Sequence, residues 1–296
     1  MTESLRLLLE GVIDYAGLFP PASLSMEKAI EEYRSTLEGP EAWLVDRFVC
    51  PISRLEEMCA ILRATPPGEP WRISALGSDL ASFRAEFQTI EGLEAASGSL
   101  IEVEAFEAKA GGLVDSSAVR HLANAGFDDA YIEIALGDAM LDDLMVLAQA
   151  ETVGAKVRTG GVEPSEVPTP SDLAVFMQEC INLDLTFKMT AGLHHPNRRT
   201  DARTGVTMHG FLNVLVAGSL AYVHDLSRAE IEKIVASEDP SDFWFSPGGL
   251  GWRDFEASNE EIGDFRDLFR SFGSCSVREP VDDLAELGLL AARAGR

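Results

Sequence analysis

The chain has 296 residues, 46% of them hydrophobic and 25% charged, a balance that supports a large core and excludes a mostly disordered chain. With 24 Lys+Arg against 49 Asp+Glu the formal net charge is -25, a field that repels phosphate backbones and anionic headgroups, so nucleic acid and membrane surfaces are not expected partners. The N-terminus lacks a basic region followed by an apolar run, and no stretch reaches the ~18 apolar residues of a membrane-spanning helix, so a cytoplasmic location is expected.

Short β-branched or apolar runs alternate with helical periodicity, the pattern of βα units around a parallel sheet. Candidate strands fall at 11–17 (GVIDYAG), 42–49, 71–77, 99–106, 130–137, 155–161, 185–192 and 242–247. Eight such units predict an α/β fold, one (β/α)8 TIM barrel domain over 1–296, close to the ~250 residues usual for that architecture. Capping boxes at Ser53–Glu56, Ser227–Glu230 and Ser258–Glu261 mark helix starts. The interval between the seventh and eighth strands is roughly doubled, which predicts an insertion with helices near 206–222 and 227–237. A further helix is expected near 281–292; its Leu284, Leu287, Leu289 and Leu290 suit either docking onto the barrel or a homo-oligomer contact. The Pro-rich stretch 161–170 reads as a βα loop. Cys50, Cys59, Cys180 and Cys275 lack CxxC spacing, so neither a disulfide framework nor a zinc knuckle is indicated.

Side-chain alternation divides each strand into helix-facing and barrel-facing sets. In the fifth strand Ile132, Ile134 and Leu136 face outward and Tyr131 and Glu133 inward; in the seventh, Thr186, Lys188 and Thr190 face inward. The sixth strand turns Lys156 and Arg158 inward, and the fourth separates Glu102 and Glu104 from Ile101 and Val103. Desolvating so many ions without pairing costs several kcal/mol each, so they form either a functional site or a salt-bridge layer that fills the barrel. Gly160, Gly161 and Gly192 at strand ends let a ligand approach the backbone. Asp14 is placed as a first-strand catalytic acid or a loop-capping aspartate. Gly248 and Gly249 form an anion nest or a simple turn after the eighth strand, with Trp244 and Trp252 nearby as pocket walls.

The segments YIEIALG, KVRTGG and FKMTAGL in strands five to seven resemble deoxyribose-phosphate aldolases and their class I aldolase relatives. The resemblance implies that Lys156 is the amine that forms a Schiff base with a carbonyl substrate, and that Lys188 is the second cation favouring the neutral amine. Glu133 is then the candidate acid/base. Arg158, His194, His195 and Arg198 would hold an anionic group or transfer protons, and no cofactor is needed. If Lys156 enters its strand too early to reach the C-terminal face, Arg158 and Lys188 make an anion clamp instead. IDYAGLFPPASL and FKMTAGLHHPNRRT are also similar to a family of bacterial barrel proteins, which implies the fold alone.

The resulting expectation is a carbon–carbon lyase or isomerase acting on a small, carbonyl-bearing, anionic metabolite. Two other classes stay open. Glu102, Glu104, Glu133, His194 and His195, with Asp14, could form the mixed shell of a divalent-metal lyase or isomerase, although no HxH or HExxH spacing supports it. A non-catalytic small-molecule-binding barrel is the third.

Overall fold

The alternation of apolar runs and amphipathic stretches resolves into eight parallel strands closed into a barrel in the computed structural model, which describes residues 1–161, 163–201 and 205–291. The barrel strands are β1 (Ile13–Tyr15), β2 (Val45–Pro51), β3 (Trp71–Asp79), β4 (Ile101–Lys109), β5 (Asp129–Glu133), β6 (Val153–Arg158), β7 (Phe187–Thr190) and β8 (Phe269–Ser274). Neighbours in sequence pair in parallel, and β8 closes the ring against β1. Helix α1 (Glu3–Leu9) precedes β1, and α2 (Met26–Leu37), α3 (Leu55–Ala64), α4 (Phe83–Ser97), α5 (Ser116–Ala123), α6 (Met140–Leu147) and α7 (Pro170–Asn182) follow β1 to β6 in turn.

Apolar residues on the outer face of the strands pack against these helices. Phe48 and Trp71 meet Tyr33 of α2 edge-on, and Phe106 stacks with Phe127 and meets Phe83 of α4. Each buried aromatic of this kind contributes ~1.5–3 kcal/mol relative to exposure.

The eighth strand differs from expectation. The run at 242–247 does contain a strand, but the turn at Pro247–Gly248 folds it back on itself. It belongs to a three-stranded antiparallel sheet (Phe243–Phe245, Gly249–Trp252, Phe255–Ser258) outside the barrel. The insertion between β7 and β8 therefore holds more than two helices: it comprises α8 (Phe211–His224), α9 (Arg228–Ala236), this sheet and α10 (Asn259–Leu268). The true β8, FRSFGS, escapes an alternation test because its apolar residues, Phe269 and Phe272, are three apart.

The capping boxes at Ser227 and Ser258 form as expected, and a further one joins Thr169 to Asp172. The box at Ser53–Glu56 does not, because Ser53 lies inside a 3-10 turn (Ile52–Arg54) and α3 starts at Leu55 without a side-chain cap. The C-terminal helix α11 (Arg278–Glu286) is shorter than 281–292 and begins earlier; the last residue of that range is not among those described. Its Val281 and Leu284 are buried in the common core, so it docks onto its own barrel, while Leu287 is exposed. Among the described residues no helix is long and apolar enough to cross a membrane.

Strict alternation breaks at four places: near the end of β3, between Leu76↔Glu107 and Asp79↔Lys109, and at three slips in β2, β4 and β8. The register slips by one between Ile13↔Val45 and Tyr15↔Phe48, between Ile73↔Val103 and Ser74↔Ala105, and between Phe269↔Phe187 and Phe272↔Met189. Each slip is a bulge that gives β2, β4 and β8 one extra residue and reverses inward and outward beyond it. Asp46–Arg47, Glu104–Ala105 and Arg270–Ser271 are the pairs at these bulges. The bulges thus decide which charges enter the barrel.

Candidate active site

The N-terminal end of the interior is a closed ionic layer. Arg47 is buried and reaches Glu104 (3.1 Å) and Asp129 (2.8 Å); Arg72 binds Glu104 (2.7 Å) and Asp46, and Arg270 approaches Asp129 (3.4 Å). Burial opposes the charge on Arg47, but Asp14, Asp46 and Asp129 outweigh it and hold the guanidinium firmly charged. Glu104 is thereby committed to two arginines. This layer fills the barrel floor and leaves no carboxylate free for a ligand.

Above it a second network takes one residue from every strand. Lys188 of β7 donates to Asp14 of β1 and to Glu107 Oε1 of β4 (2.7 Å). Lys156 of β6 donates to Glu107 Oε2 (2.8 Å) and lies 3.1 Å from Glu133 of β5. Ser74 of β3 donates to Glu107 (2.6 Å), Ser271 of β8 to Asp14 (2.6 Å), and the Arg47 amide of β2 to the other oxygen of Asp14 (3.3 Å). The Tyr131 ring stands 5.3 Å from the Lys188 ammonium.

Lys156 and Lys188 are register partners, so their side chains rise together from adjacent strands. Glu107 accepts both, one on each oxygen, which a carboxylate with two acceptor atoms can do without strain. Burial would raise the Glu107 carboxyl, but the two ammonium groups more than reverse this and hold it well below the usual carboxylate range. Burial would likewise strip the proton from Lys188, yet Asp14 and Glu107 keep it charged to above the ordinary lysine range. Lys188 is therefore a fixed cation. Exposure rises along the chain of ions, from none at Asp14 and 1% at Lys188 to 4% at Lys156 and 13% at Glu133. The Lys156–Glu133 arm is the end that solvent reaches.

The structure brings Asp14, Glu133, Lys156 and Lys188 into one site and disperses the other candidates. Asp14 is a fully buried network member, neither a loop cap nor a residue at the strand end. Arg158, the last residue of β6, is exposed, and among the described residues its hydrogen-bond partner is the Gly160 carbonyl, at 3.5 Å. Gly160 and Gly192 are explained by each other: a Cβ on Gly160 would lie 2.9 Å from the Gly192 Cα, and Gly192 has a φ of +87°. Gly161 is packed under the Glu166 side chain.

The histidines have partners other than the lysines. His195 donates to Asp283 of α11 (2.6 Å) and accepts from Arg199 (3.0 Å), while His194 lies 3.5 Å from Glu279 and 3.9 Å from the Cys275 thiol. Burial keeps His194 below its ordinary value despite Glu279. Arg198 reaches the His209 ring (3.2 Å) and Glu238 (3.9 Å), and the Asn213 side chain holds its amide. His209 donates to the Pro168 carbonyl (2.7 Å), and burial lowers it to about 4.

Glu102 is exposed at the start of β4, and Glu104 belongs to the floor, so the proposed metal set of Glu102, Glu104, Glu133, His194 and His195 is not assembled. Among the described residues no group of three or more His, Cys, Asp and Glu side chains is arranged to hold a metal ion. Gly248 and Gly249 lie in the hairpin of the outer sheet, where Ser246 caps the turn and bonds to Ser4 of α1; they are not at a barrel strand end. Trp244 and Trp252 belong to that sheet too, not to a barrel strand.

Glu107, the centre of the network, was not legible. Counted by twos from Glu104 it faces outward, and only the bulge at Glu104 brings it in. Ser74 and Ser271 carry no sequence signal of their own. No protein-family model matches the chain, and no curated protein matches it; the functional assignment rests on its own geometry.

Proposed function

We propose that this barrel is an enzyme acting on a small carbonyl compound, with Lys156 as the amine that forms the imine. The observation that carries this reading is the two-lysine site on β6 and β7 sharing Glu107, with its Lys156–Glu133 arm nearest the solvent. The resemblance of strands five to seven to class I aldolases points the same way.

The roles follow from the partners. Lys156 passes a proton to Glu133, because Glu107 is a poor acceptor when two ammonium groups hold it ionised. The neutral amine adds to the carbonyl carbon; the carbinolamine then takes back a proton and loses water to give C=N. The protonated imine accepts the electron pair of an adjacent carbon–carbon or carbon–hydrogen bond, and Glu133 takes the proton released. Lys188, fixed as a cation by Asp14, stabilises negative charge that develops beside the imine. Lyase and isomerase outcomes share these steps up to that bond cleavage.

Borohydride reduction with a panel of small aldehydes, ketones and keto acids, followed by peptide mapping, tests the reading. A specific adduct on Lys156 that vanishes in Lys156→Met is the expected result. Absence of any lysine adduct across the panel, or labelling confined to Lys188, overturns it.

A further inference from the structure

The chain is rich in arginine and poor in lysine, with nineteen Arg and five Lys. Lys28 and Lys233 stand exposed on α2 and α9. The other three share a single register row of the barrel. Lys109 of β4 pairs with Glu133 of β5, Glu133 with Lys156 of β6, and Lys156 with Lys188 of β7. Arginine makes the structural ion pairs of the barrel floor, where a rigid fork suits fixed carboxylates; lysine offers a compact charge on a flexible stem. The strand lysines are confined to the row that holds the proposed amine.

Register partners in a parallel sheet face the same side, so the Lys109 side chain enters the barrel mouth with those of Glu133 and Lys156. It also follows Glu107 by two residues on the same face of β4. The backbone fixes the row: the Ala110 amide donates to the Glu133 carbonyl and the Ile134 amide to the Lys156 carbonyl, both at 3.0 Å. Lys109 is exposed, and its ammonium group makes no hydrogen bond or ion pair with a described residue. Of its register neighbours, Asp79 caps the Ser82 amide (2.9 Å) and Glu133 is held by Lys156 (3.1 Å).

In the resting site the Glu133 carboxylate lies between two lysines. Once it takes the proton of Lys156 it is neutral, and Lys109 is then an unanswered cation two strand intervals, ~10 Å between α-carbons, from the amine. The protonated imine adds a second positive charge. An oxyanion on the substrate is attracted by both, and it needs such a local field in a chain whose net charge of -25 otherwise repels anions. Because Glu133 stands between the two lysines, the oxyanion and the carbonyl straddle it rather than occupy adjacent carbons.

We infer that Lys109 binds the anionic end of the substrate, an oxo compound whose oxyanion is set apart from the carbonyl by intervening carbons. The carbonyl half of this inference rests on the proposed role of Lys156; the anion half does not.

Borohydride trapping on Lys156 is compared for 4-oxopentanoate, 2-oxopentanoate and the uncharged pentan-2-one. Lys109→Met should raise the concentration of 4-oxopentanoate needed for half-maximal trapping at least tenfold, act less on 2-oxopentanoate, and change that of pentan-2-one less than threefold. Lys233→Met removes the same charge from an exposed helix and should change none of them. Equal effects of Lys109→Met on 4-oxopentanoate and pentan-2-one, an effect on 2-oxopentanoate as large as that on 4-oxopentanoate, or equal effects of the two variants overturns the inference. Calorimetric titration with pentanoate and with butyl phosphate, neither of which can form an imine, reads the anion half alone. At least one should bind, at least tenfold more weakly to Lys109→Met, and the tighter of the two tells a carboxylate from a phosphate. Binding of neither, or binding indifferent to Lys109, overturns the anion half. If an anion binds as stated but no carbonyl labels Lys156, the Lys109 site stands while the imine reading falls.

Discussion

Lys156 and Lys188 face each other across one strand interval and donate to opposite oxygens of the same carboxylate, Glu107, at 2.8 and 2.7 Å. They are not equivalent. Lys188 has a second partner, Asp14, with no solvent access, whereas the second partner of Lys156 is the partly exposed Glu133. Removing one member of a buried ion pair costs ~3–5 kcal/mol because the other charge is stranded. Lys188→Met should therefore be the more destabilising substitution, since it strands Asp14 and weakens Glu107. Lys156→Met leaves Glu107 with Lys188 and Ser74 and leaves Glu133 near water. Urea midpoints should fall in the order native, Lys156→Met, Lys188→Met; the reverse order would show that the exposed arm, not the buried one, carries the stability.

The same network sets a pH window. Glu107 is held below its ordinary value, so its contribution is complete above the unfolded carboxyl value of ~4.3 and is lost as pH falls below it. Lys188 is held above its ordinary value, so its contribution is complete below ~10.4 and is lost as pH rises beyond. Glu107→Gln should be less stable than the native protein at pH 7, with the difference shrinking as pH drops below ~4.3. Denaturation curves collected from pH 3 to 7 check this, and parallel curves at all pH values would rule Glu107 out as the acid-sensitive group.

Deletion of Ala105 tests whether the bulge on β4 places Glu107. Without the extra residue Glu104 and Glu107 stand two apart, so strict alternation still turns both inward and keeps Phe106 toward the helices. Such a protein should keep a cooperative fold with near-ultraviolet dichroism, whereas an alanine inserted between Phe106 and Glu107 turns Glu107 toward the helices and should give insoluble expression or dye-binding without that dichroism. Deletion of the exposed Gly112 in the following loop should be tolerated. Tolerance of the insertion, or collapse of the Ala105 deletion variant, would contradict the role given to the bulge.

The glycines separate in the same manner. Gly160→Ala drives a methyl group to 2.9 Å from the Gly192 backbone, an overpacking expected to cost ~1–3 kcal/mol. A methyl group on Gly248 would meet no atom within 4 Å, so Gly248→Ala should change thermal unfolding little. A mild effect at Gly160 together with a large one at Gly248 would invert the assignment.

Legibility follows regularity. Strands five to seven are regular, and there the inward placement of Glu133, Lys156 and Lys188 follows from counting by twos. Where a strand is bulged the count fails, which hides Glu107 in β4 and disguises β8 behind FRSFGS. The outer sheet imitates an eighth strand because DFWF has the apolar character of a buried strand, and nothing local says that its partner comes from a hairpin. The setting of His194 and His195 escapes the sequence for another reason. Their partners Asp283, Glu279 and Arg199 lie in elements whose approach depends on the tertiary fold.

The ion network also divides the chain by sign. Both of its deeply buried acids, Asp14 and Glu107, lie in the first four strands, and both lysines in the last four. A ribosome releases the acids before either counter-ion exists, at ~5–20 residues per second. The nascent amino-terminal half must therefore keep Asp14 and Glu107 hydrated, and cannot dry its interior until β7 has emerged. Synthesis order makes ring closure a late event, and it gives two separately made halves opposite charges along the seam where they would have to meet.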